Sequence, residues 1–193
     1  MSQRMISRYL KGISMSDKKT NFCINLLLYG VFVFYILLLG LILFRTHHQT
    51  RSVNLVPFRG VVSYISGNDL VSGQDSAAVL HAFALLNLLA NLFIFVPCGV
   101  YITLFRKGKG IWKNVLWVFV ISMVVEIVQF ITKFGIGDID DVILNSIGGL
   151  IGVLICRLLY LICCDDLKVR RIIAISAPIV GVMSFVILFL ANR

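Results

Sequence analysis

Five stretches of this chain, residues 22–44, 82–105, 111–132, 142–164 and 172–192, are long and almost wholly apolar. A helix needs about 20 such residues to cross the hydrocarbon core of a bilayer. The first, second and fifth carry no charge; the third contains Lys113 and Glu126, and the fourth Arg157. A backbone in lipid must satisfy its own polar groups, and with this pattern it does so as helices. The expected fold is therefore all-α, a polytopic integral membrane bundle of five transmembrane helices forming one domain over residues 1–193. Of the 193 residues, 59% are hydrophobic and 14% charged. Soluble domains run at roughly 45–50% and 25%, so a soluble enzyme, a disordered chain and a nucleic-acid-binding domain are all excluded.

The net charge of +9 would raise the question of nucleic acid in a soluble protein. Here the basic residues sit in short segments between apolar runs, where they control topology and meet anionic head groups. With the N-terminus cytoplasmic, only Arg45, Arg51, Arg59, Lys133 and Arg193 of the 18 Lys and Arg fall outside. The positive-inside rule then gives N-in, C-out. The polar lead before residue 22 and the length of the first apolar run suit a retained anchor rather than a cleaved signal. The long outer segment 45–81 contains an apolar stretch, residues 53–65, broken by Pro57 and Gly60, which suits an interfacial or re-entrant path. Cys23, Cys98, Cys156, Cys163 and Cys164 all fall in the cytoplasmic halves, so no structural disulfide is expected.

Polar side chains inside a span are costly and face the bundle interior. On the third span Ser122, Glu126, Gln129 and Lys133 recur at helical spacing and make one stripe. Glu126 lies about 10 Å from the outer end at 1.5 Å per residue. Asn87 and Asn91 share a face of the second span, and Asp141, Asn145, Gly148 and Gly152 a face of the fourth. The Gly148–Gly152 pair has the small-xxx-small spacing of closely approaching helices. Asp138 and Asp140 stand just before this last face. Three polar faces thus converge toward the outer side, with Asn54 and Arg59 of the long segment at similar depth. The expected ligand-binding set is Asn54, Arg59, Asn87, Asn91, Glu126, Gln129, Asp138, Asp141 and Asn145.

Each group also has a structural reading. Asp138, Asp140 and Asp141 suit a helix N-terminus; the asparagines suit interhelical hydrogen bonding; Glu126 suits a bond to Gln129 or a pair with Lys133. Carboxylates and amides at this depth also suit a hard divalent cation, with Glu126, Asp138 and Asp141 as metal candidates, although no cofactor is indicated. His47, His48 and His81 lie near the outer surface without a metal-ligand pattern. No Ser-His-Asp set, GxSxG, HExxH or P-loop is present.

Four stretches occur in order: Asn54-Leu-Val-Pro57-Phe58, Asn91-Leu-Phe-Ile-Phe-Val-Pro97-Cys-Gly99, Glu126-Ile-Val-Gln129 and Asp138-Ile-Asp-Asp141-Val-Ile-Leu-Asn145-Ser-Ile-Gly148-Gly149. Together, across about residues 50–155, they resemble the VanZ-like family. The resemblance implies a polytopic bacterial membrane protein linked to low-level resistance to teicoplanin and lipoglycopeptides. The family often has an Arg or a small-residue turn before its Asp-rich motif; here the turn is Gly135-Ile-Gly137, with Lys133 upstream. The leading expectation is a non-enzymatic envelope protein that binds a lipid head group, cell-wall precursor or partner at the outer leaflet. The alternative is an intramembrane, metal-dependent enzyme acting on a lipid or lipid-linked phosphate, with Glu126 as acid or base. A small transporter or channel has little support, since no internal repeat is visible.

Overall fold

The computed structural model describes residues 3–43, 53–54, 56, 88–106, 110–133 and 137–191, with side chains of the first helix described from Lys19 and those of the last to Val182 except residue 180. Among these residues five helical stretches follow one another. They are α1 (Gln3–Leu43), α2 (Leu88–Phe105), α3 (Ile111–Thr132), α4 (Ile139–Cys163) and α5 (Asp166–Ala191). Two short strands, β1 (Val53–Asn54) and β2 (Gly137–Asp138), pair in parallel, with Val53 opposite Gly137 and Asn54 opposite Asp138. Lys19–Leu41 of α1 and the whole of α2, α3 and α4 are long and apolar enough to cross a membrane. The third expected span coincides with α3, and the fourth begins three residues earlier than expected, at Ile139. Residues 172–191 of the fifth expected span lie in α5, and side chains beyond Val182 lie outside the described residues. Residues 82–87 of the second span, and most of the segment 45–81, lie outside the described residues.

The chain divides into two compact units. In the first, residues 1–37 with 160–193, α1 buries Leu28 and Tyr35, and α5 buries Val169, Ile173 and Ala174. Arg170 is fixed there by Asp166 at 2.8 Å and by the Asn25 side-chain oxygen at 3.2 Å.

The second unit, residues 38–159, holds α2, α3 and most of α4. Its interior is more polar than its exterior. Along α3 the buried residues are Asn114, Val118, Ser122, Glu126 and Gln129, whereas Trp112, Leu116, Val120, Val124, Ile127 and Ile131 are exposed. Apolar side chains outside and amides and a carboxylate inside suit a helix solvated by hydrocarbon. The buried line ends at Gln129. Lys133, expected as its last member, leaves the helix in the left-handed region (φ 61°) and donates its backbone N–H to the Gln129 carbonyl.

Glycines bring α4 against α2. A Cβ on Gly148 would collide with the Leu92 carbonyl, and one on Gly152 with that of Val96. Gly99 of α2 meets the backbone of Gly149 in the same way, and Gly149 also faces the Val118 side chain of α3. This is the close approach expected of the Gly148–Gly152 spacing. α2 is interrupted at Phe95, two residues before Pro97. Proline cannot donate to the helix ladder and its ring crowds the carbonyl four residues back. The five cysteines are free.

Candidate functional site

The β1–β2 pair brings Asn54 beside Asp138, although 84 residues separate them. The Asn54 side-chain amide donates to Asp138 Oδ1 at 3.1 Å, and its own oxygen accepts from the Val56 N–H at 3.3 Å. Asp138 Oδ1 also accepts the Asp140 N–H at 2.9 Å. Asp138 immediately precedes α4, so it caps the first turn as an N-cap carboxylate does. Its own N–H donates to Glu126 Oε2 at 3.1 Å. Glu126 therefore ties the last turns of α3 to the entry of α4. Among the described residues it forms no ion pair with Lys133.

One turn further into α4, Asp141 Oδ1 accepts from the Asn91 side-chain amide of α2. A further turn on, Asn145 donates to Ser122 Oγ of α3 at 2.9 Å. Both Ser122 and Asn145 are buried. Asp141 and Asp138 are both within coulombic reach of Glu126. α4 thus sends one polar face to two neighbours, Asp141 to α2 and Asn145 to α3, while Asp138 joins Glu126 and β1. The capping, hydrogen-bonding and ligand-binding readings concern the same side chains.

Of the expected site residues, Asn54, Asn91, Glu126, Asp138, Asp141 and Asn145 belong to this linked set. Gln129 is buried on the same line of α3 as Glu126. Arg59 and Asn87 lie outside the described residues. Among the described residues no three His, Cys, Asp or Glu are grouped so as to hold a metal ion, and that includes Glu126, Asp138 and Asp141. The arrangement is one of acceptors fixed by amide donors. Its remaining carboxylate lone pairs suit a ligand that brings donors, such as an ammonium, hydroxyl or amide N–H.

The Ser122–Asn145 bond gives a first test. Ser122→Ala leaves the Asn145 amide without its hydroxyl acceptor. Interhelical hydrogen bonds in membranes average about 0.6 kcal/mol, so the expected loss of stability is of that order. Unfolding of the detergent-solubilised protein measures it; a loss of several kcal/mol would mean the hydroxyl anchors more than this bond.

Sequence reasoning missed a second polar group at the other end of α3. Buried Asn114 donates to Thr103 Oγ1 at 3.2 Å and accepts from Arg106 Nε at 3.1 Å. Its signal was a lone amide four residues after Gly110 in an apolar run, facing a Thr and an Arg three residues apart.

Comparison with known proteins agrees with the motif order. No solved structure matches the chain. Protein VanZ of Enterococcus faecium is 30% identical over 134 residues, covering 64% of this chain and 70% of that protein. The family model described as VanZ/LLP1 matches residues 26–160, a span that contains Asn54, Asn91, Glu126, Asp138, Asp141 and Asn145. With four helices among the described residues fit to cross a bilayer and polar groups turned inward along α3, this membrane protein belongs to the VanZ/LLP1 family.

Proposed function

We propose that the chain is a multi-pass protein of the bacterial cytoplasmic membrane that lowers susceptibility to teicoplanin-type lipoglycopeptides, or maintains the envelope they attack. It does so by binding a lipid head group or cell-wall component at the outer leaflet. The observation that carries this reading is the linked set around α4. Asp138 and Asp141 are held by the amides of Asn54 and Asn91, and Glu126 closes the set. In the N-in, C-out orientation this end of the bundle faces the outer leaflet, and the ligand is a donor-rich head group. A binder needs only fixed acceptors, and fixed acceptors are what these side chains supply.

The test is antibiotic susceptibility in a sensitive Gram-positive host carrying empty vector, wild type, Glu126→Gln or Asp141→Asn, at equal membrane expression. Wild type is expected to raise tolerance of teicoplanin more than of vancomycin. Both variants keep shape and lose charge, and a hydrogen bond to a charged group contributes roughly 1.5–3 kcal/mol. Ligand affinity should fall at least tenfold, and the tolerance with it. Variants as protective as wild type would reduce these carboxylates to packing and capping groups. A wild type without effect would remove the resistance reading.

A further inference from the structure

We propose that the end of the bundle where α2 stops and α3 starts holds an anionic phospholipid, its phosphate seated on Arg106 and Lys113. The inference is independent of the proposed function, because it uses none of the carboxylate-bearing set.

Arg106 follows the last residue of α2 and is held in place from two sides. Its Nε donates to Asn114 Oδ1 at 3.1 Å, and its guanidinium lies 5.6 Å from the centroid of the Trp117 ring. Asn114 is 1% exposed and is itself anchored by Thr103. Thr103 in turn donates to the Gly99 carbonyl at 2.9 Å. A buried amide in an apolar helix is costly, and this one spends its oxygen on orienting a cation. An arginine needed only for topology has no use for such a mount.

The mount leaves the two terminal NH₂ groups of Arg106 without a partner among the described residues. That is the edge of the fork that binds phosphate through two parallel hydrogen bonds. No described carboxylate pairs with Arg106, and the first turn of α3 contains no acidic residue. Instead it contains Lys113, exposed and one turn before Trp117 on the same face. Arg106 against the Trp117 ring and exposed Lys113 one turn before it thus share this end of α3, and no described acid pairs with Arg106. Trp117 is about half exposed and Trp112 more so, as indoles are at the level of lipid head groups. An anionic head group supplies the missing charge, and its acyl chains lie along exposed Leu116 and Val120.

Native mass spectrometry of the full chain in neutral detergent tests this, with phosphatidylglycerol, phosphatidylcholine and inorganic phosphate as probes. Wild type is expected to retain phosphatidylglycerol in preference to phosphatidylcholine, and inorganic phosphate at equal concentration should not displace it. Arg106→Gln should weaken retention of phosphatidylglycerol about tenfold, the scale of one charge-assisted bond, and leave phosphatidylcholine unchanged. Arg106→Lys keeps the charge but not the fork, and should recover less than half of the loss. Lys168→Gln, an exposed cation of the other unit, should behave as wild type. Equal retention by Arg106→Gln and wild type overturns the proposal. So does equal loss in Lys168→Gln, which would mean diffuse attraction, and so does displacement by phosphate, which would mean a site for the free anion.

Discussion

Gly148→Ala is expected to lower the thermal unfolding midpoint of the detergent-solubilised protein sharply, while Gly30→Ala leaves it unchanged or raises it. Both substitutions put a methyl group in the middle of a helix, where alanine is favoured over glycine by about 1 kcal/mol. At Gly30 nothing lies within 4 Å of the new Cβ, so only the propensity acts. At Gly148 the new Cβ would overlap the Leu92 carbonyl, and that obstacle is backbone. A flexible side chain could turn aside; a helix must move as a whole. Overpacking typically costs 1–3 kcal/mol, and more where the neighbour cannot yield. Here about 3 kcal/mol is expected, because Gly152 and Gly99 fix the same helix pair at two further close points. Shifting α4 from α2 would also stretch the Asn91–Asp141 bond, so the proposed ligand binding at Asp141 should fall with stability. Equal midpoints for the two variants would show that α2 and α4 do not meet at these glycines.

These two helices also show which parts of the molecule can be read from sequence. Periodicity along one helix is a local property, and the inward line of Ser122, Glu126 and Gln129 was legible because 3.6 residues per turn place them on one face. The Gly148–Gly152 spacing was legible for the same reason. What each residue meets is not local. Glu126 was expected to bond Gln129 or Lys133 on its own helix, yet it accepts the Asp138 N–H after the chain has turned. Asn54 reaches Asp138 through strands of two residues each, too short for any pattern to specify their register. In the sequence Arg106 and Lys113 read only as charges that bear on orientation. The buried Asn114 holds Arg106 in place, and an amide partner across a helix pair leaves no trace in hydropathy.

The largest energetic dependence within the candidate site should lie at Asn91. Asn91→Leu removes the donor that Asp141 accepts from and puts an apolar side chain against the carboxylate. Asp138 and Asp140, both within coulombic reach, add repulsion rather than relief. Both side chains are part-buried, and breaking one side of such a pair costs more than the pair contributes, because the abandoned group keeps part of its desolvation penalty. The expected loss is about 2 kcal/mol. The double variant Asn91→Leu, Asp141→Leu removes both partners and should be more stable than Asn91→Leu alone, since no polar group is then stranded. Chemical unfolding of wild type, the two single variants and the double variant closes the cycle. Neutral interhelical pairs in membranes couple by about 0.6 kcal/mol. A carboxylate acceptor should place this pair near 2 kcal/mol. Additive losses would mean that Asn91 and Asp141 do not act together, and the link between α2 and the acidic entry of α4 would be lost. With the expected coupling, Asn91 holds Asp141 as a fixed acceptor, and Asn91→Ala, which removes that donor, should weaken ligand binding as well as lower stability.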